Sequence, residues 1–115
     1  MRFAPKIILN TVTNDKTDWV ELVNTQIGDC IGVVKFSFSL DPDPNAEYML
    51  TIGKLIENNV FQLSSLMTID LPFIWYVKGY DGLPARSPII LKVRNLNANI
   101  TTKTSYLFNW VEVWR

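Results

Sequence analysis

Apolar and polar residues alternate along this chain with a period of two far more often than with the 3.6-residue period of a helix, which predicts strands almost throughout. The clearest run is residues 31–40. There Val34, Phe36, Phe38 and Leu40 point one way and Lys35, Ser37 and Ser39 the other, the pattern of a half-buried antiparallel strand. Residues 6–13 form a β-rich run that stops at Asn14-Asp15-Lys16, residues 18–23 a second, and residues 24–28 a loop. Asp41-Pro42-Asp43-Pro44-Asn45 predicts a turn, because two prolines in three positions remove ladder donors and fix φ. Residues 47–53 then return as a hairpin strand with Tyr48, Leu50 and Ile52 inward.

The second half reads the same way. Residues 54–59 are the one stretch that suits a helical turn, ahead of short apolar runs at 60–63 and 66–71. Residues 73–80 predict a strand apolar on both faces, and residues 81–88 a Gly/Pro-rich loop. Residues 89–94 follow with Ile89, Leu91 and Val93 inward, then an Asn-rich loop at 95–99. A long terminal strand spans 101–114, with Tyr106, Phe108, Trp110 and Trp114 on one face and Leu107, Val111 and Val113 on the other. Seven to nine short strands joined by turns, with no convincing amphipathic helix, indicate an all-β fold: one antiparallel β-sandwich domain over residues 1–115. A jelly roll is favoured over an immunoglobulin-like topology, whose pair of disulfide cysteines is absent.

Composition narrows the chemistry. The chain has no His and one Cys, so the imidazole bases, Ser/His and Cys/His pairs, internal disulfides and multi-thiolate zinc sites are all excluded, and a non-enzymatic role without cofactor is expected. Cys30 is expected in the core. Eleven basic and eleven acidic residues give zero formal charge, which disfavours nucleic acid as a partner. No apolar run approaches the roughly 20 residues of a membrane span, and no signal peptide is read at the N-terminus, so synthesis in the cytoplasm is expected. Asp41-x-Asp43-x-Asn45 resembles the opening of a calcium loop. It lacks the glycine and bidentate glutamate of that loop, with Ala46 and Ile52 in their places, so a proline-stiffened turn is the favoured reading and no metal site is expected. Among the acids, Glu112 alone lies between two tryptophans on a strand, which places it at a polar rim or in a ligand groove.

The aromatics are numerous for so small a chain, and Trp and Tyr suit both protein interfaces and sugar stacking. Phe36 and Trp75 are expected in the core. A two-faced aromatic strand at the end of the chain is expected to be poorly covered unless a neighbour packs on it, so Tyr106, Phe108, Trp110, Glu112 and Trp114 are candidate interface residues in a homo-oligomer. Tyr80, Asp81 and Arg86 mark a candidate ligand loop, with a glycan as its partner in the alternative reading of a carbohydrate-binding module.

The opening Ile7-Ile8-Leu9-Asn10-Thr11-Val12 run, the turn at 24–28 leading into the alternating strand at 33–40, and Ile89-Ile90-Leu91-Lys92-Val93-Arg94 before a terminal aromatic strand together resemble the small β-sandwich structural proteins of tailed bacteriophages. The resemblance is one of pattern over most of the chain and carries no functional residue with it. It implies an auxiliary virion component, a capsid decoration, neck or tail protein, that assembles by symmetric contacts with copies of itself or with other virion proteins.

Overall fold

The pairing of strands follows a single nested scheme. In the computed structural model, which describes residues 1–71, 75–76 and 85–115, the strands are β1 (Arg2–Asn14), β2 (Val20–Gln26), β3 (Gly32–Asp41), β4 (Ala46–Ile52), β5 (Ile56–Phe61), β6 (Met67–Leu71), β7 (Trp75–Tyr76), β8 (Pro88–Asn95) and β9 (Thr102–Trp114). β4 pairs with β5, β3 with β6 and β7, β2 with β8, and β1 with β9, all antiparallel. The chain is thus a long ribbon doubled back at the β4–β5 turn. Two further antiparallel ladders, β3 with β9 and β4 with β8, roll that ribbon up. The result is two sheets, β1-β9-β3-β6 with β7 also on β3, and β2-β8-β4-β5. This rolled, doubled ribbon is a jelly roll.

The inner faces meet in one core. Phe36, Phe38 and Leu40 of β3 and Tyr106, Phe108 and Trp110 of β9 face Tyr48, Leu50 and Ile52 of β4 and Ile89, Leu91 and Val93 of β8. Phe38 stacks on Phe108 at 4.4 Å and Phe36 on Trp110 at 5.7 Å. Each such side chain contributes about 1.5–3 kcal/mol by leaving water. Cys30 is buried as a free thiol, and Phe36 lies in the core as expected.

Three local differences separate the structure from the sequence pattern. On β3 the inward residues are Val33, Phe36, Phe38 and Leu40, and Val34 is not among the core residues. The reason is a bulge: Lys35 adopts φ 54°, and the ladder to β9 shifts between Val34 and Ser37, which reverses the alternation. Residues 24–26 extend β2 where a loop was expected. Where a helical turn was expected, a tight turn closed by the Leu55 N–H on the Ile52 carbonyl (3.1 Å) leads directly into β5. Left-handed Gly53 and Asn58, with the Asn58 N–H donating to Thr51 Oγ1 (3.0 Å), supply the curvature that a helix would have given. Of the strand expected over 73–80, only the backbone of Trp75 and Tyr76 lies within the described residues, so the core placement expected for Trp75 lies outside them.

Polar side chains lock the ends of the sandwich. At the Asp41–Asn45 turn the Asp43 N–H donates to Tyr48 Oη (2.8 Å), while the Asp43 carboxylate accepts the N–H of Asn45 (2.9 Å) and of Lys103 (3.1 Å). Both of its oxygens therefore serve the turn. Near that end, Asn95 accepts from Thr102 Oγ1 (2.6 Å) and donates to the carbonyls of Asn14 (2.9 Å) and Ile100 (3.0 Å), joining β8 to the β1–β9 pair. Arg94 binds the Glu47 carboxylate through Nε (2.8 Å) and lies over the Trp19 ring at 4.6 Å.

Candidate functional site

β9 is not the uncovered strand that its position at the end of the chain suggests. It lies between β1 and β3, and its aromatic face points into the sandwich: Phe108 is fully buried, and Tyr106 and Trp110 are each 4% exposed. The interface expected on Tyr106, Phe108, Trp110 and Glu112 is therefore corrected. The other sheet of the same chain covers that face, because rolling the ribbon brings a terminal strand to a central position. Trp114 is part-buried, packs against the core and carries Arg2 over its ring at 5.6 Å.

Glu112 is 2% exposed, which removes it from the polar rim. Its Oε2 accepts both the Trp110 indole N–H (3.0 Å) and the Gly28 main-chain N–H (2.9 Å), so it latches the β2–β3 connection onto β9. The approach is close enough that a Cβ on Gly28 would lie 2.6 Å from Glu112 Oε1 and 3.0 Å from the Trp114 ring, so any larger residue there would have to displace the Glu112 carboxylate. Every buried side-chain oxygen among the described residues has a partner. A groove of about 290 Å³, lined by Lys6, Gln26, Trp110 and Trp114, borders Glu112. Burial raises the Cys30 thiol above its ordinary pKa, with the negative charge of Glu112 adding to the effect.

Of the candidate ligand loop, Tyr80 and Asp81 lie outside the described residues. Arg86, at φ 62°, pairs with Asp29 at 3.6 Å in solvent and borders a groove of about 400 Å³ with Gly53, Lys54 and Glu57. Among the described residues no group of three or more Cys, Asp or Glu side chains is placed to hold a metal ion.

Among the described residues, an apolar surface does stand uncovered on β1. Phe3 (59% exposed), Ile7 (69%) and Leu9 (69%) project from the outer face of their sheet, and in the β1–β9 register Leu9 stands opposite Leu107 and Pro5 opposite Val111. Their inward neighbours Ile8 and Val12 pack on the core. The sequence signal for this face was present in the alternation of β1. Which side of the strand would be covered was not.

No protein family and no curated protein matches this sequence. Solved structures do. A subunit of Bacillus endospore appendages, described as disulfide-linked pili, superposes with a TM-score of 0.54 at 10% identity over 98% of this chain and 89% of its own. The capsid asymmetric unit of cyanophage Pam1 gives 0.53 at 11% identity over 96% and 86%. Triatoma virus gives 0.53 at 9% over 97% and 66%. At identities this low the likeness is one of fold, and in fold the chain is a jelly-roll β-sandwich like those of viral capsid subunits.

Proposed function

We propose that the chain is a non-enzymatic structural subunit that works by associating with copies of itself, and that its setting is a virus particle. The observation that carries the reading is the apolar stripe of Phe3, Ile7 and Leu9 on a sandwich whose core is already filled from within. Large apolar residues grouped on one outer face mark contact surfaces in small soluble domains. The capsid-like fold and the lack of any His agree with this role. A decoration, neck or tail position in a bacteriophage is the finer form of the proposal, tested by searching purified virions for peptides of this chain. The general reading is tested by light scattering across a dilution series: a mass above 13.2 kDa that falls on dilution is expected, and a monomer at every concentration overturns it.

A further inference from the structure

The direction of the main-chain groups along β1 follows from neighbouring contacts. Ile31 donates its N–H to the Val113 carbonyl (2.8 Å) and Lys103 donates to Asp43 (3.1 Å), so odd-numbered residues of β9 face β3. Even-numbered residues of β9 then face β1, and since β1 pairs even with even in that ladder, its own odd-numbered residues turn their N–H and C=O groups to the free edge. The Thr11 N–H confirms this independently. It donates to the Asn10 side chain (2.9 Å) and not to β9. Among the described residues nothing pairs with that edge.

The free edge is interrupted at two places. Pro5 has no N–H to offer, and the N–H of Thr11 is already used. These two positions lie symmetrically about Ile8. Between them Ile7 and Leu9 present open donors and acceptors, and their side chains form the exposed stripe.

We infer that β1 pairs antiparallel with β1 of a second copy about a two-fold axis at Ile8, joining the two sheets edge to edge. This rests on the self-association proposed above and names its surface and register. About that axis Ile7 meets Leu9 of the partner subunit and Leu9 meets Ile7 of the partner subunit, each pair exchanging both main-chain hydrogen bonds. Pro5 meets Thr11 of the partner subunit, so the position without a donor faces the position whose donor is engaged. On the opposite face Lys6 meets Asn10 of the partner subunit, and no like charges are brought together. A shift of the axis to Ile7 would set Pro5 against the open N–H and C=O of Leu9 and lose a bond at each end. Proline and a self-capping Asn are devices that stop unlimited edge pairing; placed symmetrically, they leave one closed register.

Light scattering with charge variants tests the surface. Both side chains are exposed, so Ile7→Lys and Leu9→Lys leave the fold intact, which a circular dichroism melt verifies. Wild type at twice 13.2 kDa, I7K/L9K at the monomer mass under the same conditions, and recovery of the doubled mass in I7K/L9E are expected, because the last variant sets a lysine against a glutamate in each pair. Cysteine variants test the register: a mixture of I7C and L9C should yield the disulfide-linked dimer, and I7C alone should not. Efficient linking of I7C alone overturns the axis at Ile8. An oligomer of unchanged mass in I7K/L9K overturns the β1 contact while self-association stands, and a wild-type monomer throughout removes both.

Discussion

Replacing Glu112 tests whether its role is that of a neutral acceptor or of a charge. Glu112→Ala removes an acceptor from two donors at once and leaves the Trp110 indole N–H buried without a partner. Each hydrogen bond to an ionised group contributes about 1.5–3 kcal/mol, and an orphaned buried donor adds a desolvation cost, so a loss of roughly 3–5 kcal/mol is expected. For a domain of this size that corresponds to a fall of roughly 12–20 °C in Tm. Glu112→Gln behaves differently. Both donors converge on the one oxygen Oε2, so the amide carbonyl can take its place. Only the charge assistance is lost, about 0.5–1.5 kcal/mol. Urea unfolding followed by tryptophan fluorescence measures both variants, with equal m-values showing that the same surface is exposed in each. If E112Q costs as much as E112A, the single-oxygen account fails and Oε1 or the negative charge itself is doing the holding. If E112A costs less than about 1 kcal/mol, the latch to Gly28 is dispensable.

Lys35→Gly should be neutral or stabilising by up to about 1 kcal/mol, since the exposed lysine holds a left-handed φ of 54°; a clear loss in thermal melts would show that the bulge is not where the alternation reverses. Tyr48→Phe and Thr104→Val should each cost about 1–3 kcal/mol, because their hydroxyls bond each other at 2.8 Å in the core. The double variant should cost less than the sum, and strict additivity would refute the pairing. Burial holds the Tyr48 phenol above its ordinary value near 10, so its contribution is complete below that pH and is lost as the pH rises through the higher folded value. Stability should fall with rising alkalinity, less steeply in Y48F, and parallel profiles would contradict it. Cys30 should react with iodoacetamide at pH 8 at least ~100-fold more slowly in the native protein than in urea, and equal rates would place the thiol outside the core.

Much of the fold was legible in the order of residues. A period of two in β3, β4, β8 and β9 marked the strands. The absence of His and of paired Cys removed the main catalytic and disulfide frameworks, and the doubled proline placed the Asp41–Asn45 turn. Within β9 the alternation also grouped Tyr106, Phe108 and Trp110 correctly on one face. What it could not supply was what lay against that face. The same pattern fits a strand buried by its own second sheet and a strand waiting for a neighbour, and only the pairing of β9 between β1 and β3 decides between them.

The tertiary structure decided whatever depended on residues far apart in the chain. Glu112 reads as a rim acid until Gly28, 84 positions away, is set on its oxygen. The reversal at Lys35 becomes visible when the β3–β9 ladder is seen to slip, because a bulge is a property of two strands and not of one. β1 shows the division most plainly. Its sequence fixes which residues share a face, through the geometry of a single extended chain. Which of those faces meets water, and which of its edges is left without a partner, follows from the nested ladders that roll the ribbon, since burial and hydrogen-bond satisfaction are settled by the partners a strand acquires.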